Sequence, residues 1–282
     1  MSSFASYDGT TLACTEVGSG PPLLCLPGGP GRAAEYLEEL GGLTADRTLV
    51  RLDLRATGRS EVPADPGSLR FDRLADDVEA LRAHLGLGQA DVLAHSAGAI
   101  VAQAWAAAHP ERVGRLVLVT PSDRLQGGAR SDVAAIRASR SDEPWYADAA
   151  EAAEAMRFAP PAQQQSLTRA TRPFFYGTWT ETTQAHAASA DRQSSKRAEL
   201  GFAAGAEDVD VAGILAGLQA ISAPVLVIGG ERDALTGIES AHAVASCFRS
   251  AQTVVLPRAG HFPWVDEPAA FADAVRGFLA GV

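Results

Sequence analysis

The stretch Val92-Leu93-Ala94-His95-Ser96-Ala97-Gly98-Ala99-Ile100 contains the hydroxyl in this chain best placed to act as a nucleophile. Val92 to Ala94 read as the end of a short buried strand. Ala97 to Ala108 read as an Ala-rich helix with Ile100, Val101, Ala104 and Trp105 on one face. Ser96 sits between them with a tiny residue two positions away on either side, Ala94 and Gly98. A tight strand-to-helix turn needs that spacing. It lifts the serine above a sheet while neighbouring backbones pass too closely for larger side chains. The helix N-terminus then aims the Ala97 N–H at a developing oxyanion. A serine that only caps a helix has the same local pattern, so the reading depends on partners elsewhere in the chain.

A nucleophilic serine needs a base, and the base needs an orienting carboxylate. Of the six histidines, His84, His109 and His242 fall in helical stretches, His186 lies in a long non-strand segment, and His95 is inside the turn itself. His261 alone follows a late strand in a loop, Ala259-Gly260-His261-Phe262-Pro263-Trp264. The acid candidate is Asp233, in Gly229-Gly230-Glu231-Arg232-Asp233 directly after another apolar run; its rival is Asp123, after the preceding strand. Ser96, Asp233, His261 is the chain order of nucleophile, acid and base in a known strand–turn–helix architecture. Pro27-Gly28-Gly29-Pro30-Gly31 offers a second oxyanion donor, the N–H of Gly29 or Gly28, because glycines let backbone approach a ligand closely.

The elements that must position these residues can be read from hydrophobic runs. Phe4–Tyr7 and Thr11–Val17 flank Asp8-Gly9, a hairpin signal. Leu23–Leu26 and Leu49–Leu52 are short buried strands, with a helix expected from about Ala33 to Leu40 between them. Leu74, Val78, Leu81 and Leu85 mark a long amphipathic helix that Gly86 stops. The strand Leu116–Val119 follows the Ser96 helix. After Thr120-Pro121 the rhythm breaks for about a hundred residues of helical, Ala-rich and polar sequence. Strand runs resume at Val225–Ile228 and Thr253–Leu256, and a helix through Phe271, Val275 and Phe278 closes the chain. Alternating apolar strands and helices imply an α/β fold with a mostly parallel sheet covered by helices on both faces. The expected division is a core of 1–121 and 223–282, with 122–222 inserted after the sixth strand as a helical cap, or lid.

Composition narrows the classes of function. With 282 residues, 46% hydrophobic and 21% charged, the chain is of ordinary globular type. A net charge of −10 argues against nucleic acid and anionic membranes as partners. Cys14, Cys25 and Cys247 are odd in number and lack a CxxC spacing, so neither a disulfide framework nor a zinc site is expected. There is no HExxH and no P-loop, and Gly18-Ser19-Gly20 runs into Pro21-Pro22 rather than a helix, so no metal or other cofactor is expected. The N-terminal residues lack a signal-peptide pattern and no apolar run approaches a membrane span, which makes a soluble cytoplasmic protein the default.

Taken together, the Gly28-Gly29-Pro30-Gly31 loop, the Asp53-Leu54-Arg55-Ala56-Thr57-Gly58-Arg59-Ser60 turn, the Ser96 elbow, Asp233 and Gly260-His261 resemble α/β-hydrolases of the proline iminopeptidase family. Pro27 stands where that family has histidine, and Ala94 and Ala97 stand where its elbow has glycine and tryptophan. The resemblance implies an aminopeptidase or amide hydrolase acting on a small molecule or short peptide with a free amine. It also implies that two lid glutamates hold that amine. Trp179-Thr180-Glu181 is similar to the family's Trp/Glu segment, and Arg197–Phe202 loosely resembles the segment carrying the second, here Glu199. Solvated helix surface is the plain alternative for both, and it fits Glu199 equally well. Phe175 and Trp179, with Phe174 and Tyr176, form an aromatic cluster that fits pocket wall or lid core. The expected chemistry is acyl transfer to water through an acyl-Ser96 intermediate. Carboxylesterase or thioesterase activity is the alternative, and a non-catalytic ligand-binding protein on the same scaffold is the reading from another class.

Overall fold

The computed structural model describes residues 2–128 and 132–281; Met1, 129–131 of the inserted segment and Val282 lie outside them. Its strands are β1 (Ser2–Ala5), β2 (Thr11–Gly18), β3 (Pro22–Leu26), β4 (Thr48–Leu52), β5 (Ala90–His95), β6 (Val113–Val119), β7 (Val225–Gly230) and β8 (Ala251–Leu256). They form one 8-stranded sheet in the order β1-β2-β4-β3-β5-β6-β7-β8. β1, β2 and β4 pair antiparallel, and every pairing from β4 to β8 is parallel.

The central strands are apolar along most of their length because both faces are covered. In β3, Leu24 and Leu26 join one core cluster while Leu23 and Cys25 join the other. β5, β6 and β7 alternate in the same way, with Val92, Leu116 and Val225 on the first side and Leu93, Val117 and Leu226 on the second. Each such side chain contributes about 1.5–3 kcal/mol on burial. On the first face lie helices α1 (Phe71–His84) and α2 (Gly98–Ala108). α1 buries the stripe Phe71, Leu74, Val78 and Leu81. α2 is buried on nearly every side, which its alanines permit.

The Asp53–Ser60 turn is a structural knot. Buried Arg55 donates to both oxygens of Asp77 in α1, at 2.7 and 2.6 Å, and to Asp8 in the first hairpin. Asp53 accepts from the Ala34 N–H at 2.8 Å and the Arg59 N–H at 3.1 Å, closing the turn onto the loop after β3. That loop departs from the helix expected over 33–40. It forms two 3-10 turns, Ala34–Leu37 and Leu40–Ala45, separated by left-handed φ values at Glu38 and Leu40. The adjoining Gly41-Gly42 pair makes a continuous helix costly there.

Between β6 and β7 the described residues contain no strand. They form α3 (Val133–Ala138), α4 (Tyr146–Ala155), α5 (Pro161–Thr171), α6 (Glu181–Gln193), α7 (Lys196–Gly201) and α8 (Val211–Gln219). α8 packs on α2, with Leu218 in the core cluster under the sheet, so the end of this segment belongs with the sheet-covering layer. α9 (Gly237–Ala245) follows β7, and α10 (Pro263–Asp266) and α11 (Pro268–Ala280) complete the chain. No helix among the described residues is long and apolar enough to cross a membrane.

Candidate active site

Ser96 occupies the turn between β5 and α2 with a left-handed φ of 54°, a conformation that costs a non-glycine residue energy and persists only where its surroundings enforce it. They do so by crowding. A Cβ on Gly98 would lie 2.4 Å from the Pro27 carbonyl oxygen, and one on Gly28 would lie 2.9 Å from the Ser96 Cβ. The Ser96 N–H donates to the Val119 carbonyl at 3.0 Å, tying the turn to β6.

His261, in the loop after β8, holds Asp233 through Nδ1 at 2.9 Å. Asp233 is fully buried. Burial pushes its carboxyl up, but the His261 ring and hydrogen bonds from His261, Thr236 and the Leu235 N–H outweigh this and hold it below the ordinary aspartate value. The Leu235 and Thr236 N–H groups donate to Oδ1, at 2.9 and 3.1 Å, leaving Oδ2 for the ring and the Thr236 hydroxyl. Asp123 is also buried after β6, yet the His261 ring bonds Asp233.

Ser96 and His261 both line a cavity of about 720 Å³, together with Gly29, Pro30, Arg32 and Tyr36 from the loop after β3 and residues of α5 to α7. The two glycines of that loop differ in availability. The Gly28 N–H donates to the Tyr36 hydroxyl at 2.6 Å and is therefore occupied. Gly29 and Ala97 donate their N–H groups to no acceptor among the described residues. Both are free to bind a ligand oxygen.

The residues assigned to the substrate from sequence divide. Phe175 and Glu199 border the cavity. Glu199 is exposed and paired with Lys196 at 3.0 Å. The structure does not bring Trp179 or Glu181 to this wall. Trp179 packs its ring on Tyr176 against the apolar cluster behind the site, at 5.6 Å between centroids. Glu181 is the exposed first residue of α6, where a carboxylate complements the helix N-terminus. Among the described residues, no group of three or more His, Cys, Asp or Glu is placed to hold a metal ion.

Five site residues escaped the sequence reading. Tyr36 bonds His95 Nδ1 at 2.7 Å, and His95 Nε2 bonds the His261 carbonyl at 2.8 Å. The Gly28 amide can only donate and the carbonyl can only accept, so protons run from Gly28 to Tyr36 to His95 to His261 and the ring is neutral. Burial first, then the neighbouring His261, holds the His95 pKa well below that of a free imidazole. Thr120 also donates to the His261 carbonyl, at 2.9 Å. Asp266 accepts the Gly260 N–H and the Gly177 N–H, each at 2.8 Å, joining the base loop to the segment before α6. Arg32 is 6% exposed within the cavity wall. One signal was available: a histidine ending an otherwise apolar strand must be buried, and a buried polar group needs partners.

Sheet order, elbow and paired loops are those of one large group of enzymes, and the comparisons agree. The chain belongs to the alpha/beta hydrolase fold family, whose model matches residues 21–268. It is 30% identical over 228 residues to 3-oxoadipate enol-lactonase 2 of Acinetobacter baylyi, covering 80% of this chain and 76% of that protein. It is 32% identical over 106 residues to a proline iminopeptidase of Heyndrickxia coagulans, a match spanning 38% of this chain and only 37% of that relative. An esterase from Exiguobacterium antarcticum superposes with a TM-score of 0.75 over 99% of both chains at 19% identity, a likeness of fold alone.

Proposed function

We propose that this α/β-hydrolase cleaves small carboxylic esters or lactones through an acyl-Ser96 intermediate. The observation that carries the reading is the shared cavity: a strained Ser96, the His261 ring and the undirected Gly29 N–H line it together, with Asp233 bonded behind His261 and the Ala97 N–H directly after Ser96. His261 Nε2 takes the Ser96 hydroxyl proton as Oγ attacks the carbonyl carbon. Gly29 and Ala97 hold the resulting oxyanion, each donor contributing about 3–4 kcal/mol in sites of this kind. The imidazolium returns the proton to the leaving alkoxide as the C–O bond breaks. Water then enters and gives a proton to His261 as its oxygen bonds the acyl carbon; the C–Oγ bond breaks and the imidazolium returns that proton to Ser96 Oγ, releasing the acid and the free serine. Asp233 stabilises the cation in both halves. Helices α3 to α7 form the lid that keeps bulk water from the intermediate.

The ester reading is preferred to aminopeptidase action because both carboxylates lining the cavity are already neutralised. Asp191 bonds Arg172 at 2.5 Å and Arg169 at 3.0 Å, and Glu199 bonds Lys196. Position favours Glu199 alone as a contact for a substrate amine, and the partial match to proline iminopeptidases keeps that second reading in view. Comparing kcat/KM for 4-nitrophenyl acyl esters with that for amino-acyl 4-nitroanilides decides between them. Turnover of the esters with little of the anilides is expected; the reverse would overturn the ester reading.

A further inference from the structure

The cavity's formal charges are Arg32, Arg172 and Lys196 against Asp191 and Glu199. Arg172 pairs with Asp191 and Lys196 with Glu199, which leaves Arg32 without a carboxylate. Its hydrogen bonds all go to neutral acceptors: Nε to Gln193 Oε1 at 3.0 Å, and Nη2 to the His186 carbonyl at 3.2 Å and the Ser189 hydroxyl at 2.9 Å. Nη1 has no acceptor among the described residues, although the side chain is 6% exposed. The guanidinium lies over the Tyr36 ring, 4.2 Å from its centroid, which orients it without neutralising it. Exposed Glu38 adds only an attraction beyond ion-pair distance; a buried cation with no direct ion pair is costly to maintain, and an anion that enters beside it recovers that cost.

From this geometry we infer that Arg32 is the anchor for a carboxylate, or an equivalent oxyanion, carried by the substrate at a distance from its scissile carbonyl. Arg32 follows the oxyanion donor Gly29 by three residues on the same rigid turn: its N–H donates to the Gly28 carbonyl at 3.3 Å, and a Cβ on Gly29 would lie 3.2 Å from the Arg32 Cβ. Anchor and oxyanion hole are therefore set in one register, and Arg32 selects which esters present their carbonyl to Ser96. The donor atoms suit this role. Nη1 keeps two N–H groups for an incoming oxyanion while Nε and Nη2 fix the plane of the fork against α6. The assignment rests on the ester-hydrolase reading and sharpens it to esters of dicarboxylic acids or of carboxylated alcohols and phenols.

The test measures kcat/KM for mono-4-nitrophenyl esters of adipic and pimelic acids and for their methyl-capped neutral twins. 4-Carboxyphenyl hexanoate and its methyl ester place the charge on the leaving side instead. Each anionic-to-neutral ratio is then compared between wild type and Arg32→Gln, so that intrinsic reactivity cancels. For at least one pair the ratio is expected to fall about 10- to 100-fold in Arg32→Gln, the range of a hydrogen bond to a charged group. Arg32→Lys, which keeps a point charge without the fork, is expected to retain part of the preference. Stoichiometric labelling of Ser96 by a neutral phosphonate reports whether each variant is folded. Ratios equal in wild type and Arg32→Gln for every pair, with ester turnover and labelling intact, would overturn the anchor and leave the ester reading standing. Absence of both turnover and labelling in wild type would instead overturn the ester reading itself.

Discussion

The Tyr36 hydroxyl donates to His95 Nδ1 at 2.7 Å while accepting the Gly28 N–H at 2.6 Å, so one phenol fixes both the loop that carries Gly29 and the ring that supports the His261 carbonyl. Oxyanion hole and base are thus held by a single relay of neutral hydrogen bonds. Tyr36→Phe leaves a buried amide without an acceptor and a buried ring nitrogen without a donor. A loss of about 1–3 kcal/mol in unfolding free energy is expected for each group left unsatisfied. Denaturant titration gives that quantity, and kcat on a 4-nitrophenyl ester should fall with it because Gly29 shifts. An unchanged midpoint and unchanged kcat would mean that the relay does not position the site.

Removing the nucleophile tests the chemistry more directly. Ser96→Ala is expected to lose at least about 10³-fold in kcat while unfolding at the wild-type denaturant midpoint, since a small hydroxyl is all that is removed. A fluorophosphonate should label the wild-type protein at Ser96 alone, as read by peptide mass. Label on another serine would remove Ser96 from the mechanism.

The acid is decided by a paired substitution. Asp233→Asn is expected to cost roughly 10³- to 10⁴-fold in kcat, because an amide neither stabilises the imidazolium nor fixes its tautomer. Asp123→Asn should retain most activity, since the His261 ring bonds Asp233. The opposite ranking would place the acid after β6.

Much of this site was legible in the sequence because its parts carry strong local signatures. The Ser96 turn needs small neighbours, Asp233 and His261 sit in loops directly after strands, and the alternation of apolar runs with helices gives the sheet. What local pattern could not show is which neighbour a side chain finds across the fold. Tyr36 falls in a stretch that reads as an ordinary helix and instead forms a tight 3-10 turn beside the site, and Arg32 lies just before it in the glycine-rich loop. Trp179-Thr180-Glu181 carries the residue types of an amine-binding segment. Its Thr180 caps α6, accepting the Thr183 N–H, which leaves Glu181 on the helix end facing solvent.

That placement has a measurable consequence. Glu181→Gln is expected to change kcat/KM less than twofold on any ester or anilide, in the manner of an exposed substitution far from the reacting atoms. Glu199→Gln, which borders the cavity, is the variant that would alter the ratio between a free-amine anilide and its acetylated form if an amine binds at all. A strong effect of Glu181→Gln on that ratio, with none from Glu199→Gln, would restore the lid glutamate to the binding site.

Asp266 supplies the pH dependence. Burial pushes its carboxyl up to about 6, against hydrogen bonds from the Gly177 and Gly260 N–H groups, the nearby Thr178 N–H and the charge of Arg140, which pull it down. Its Oδ1 has no partner, whereas Oδ2 accepts from Gly177 and Gly260. In the unfolded chain the same carboxyl titrates near 3.8. Between those two values the folded protein still holds a proton that the unfolded chain has released, so this group's contribution to stability falls as pH rises and levels off above about 6. His186 acts in the opposite sense across the same interval. Burial lowers its ring to about 4, so its contribution falls as pH drops. For that reason the readout is a difference between two proteins rather than one curve. Asp266→Asn keeps an oxygen for the two N–H groups and removes the titration. The melting temperature of wild type minus that of Asp266→Asn is expected to decline from pH 4 to pH 6 and stay flat above. A difference independent of pH across that interval would show that Asp266 keeps an ordinary carboxyl in the fold, and that the junction between Gly177 and Gly260 does not depend on its protonation.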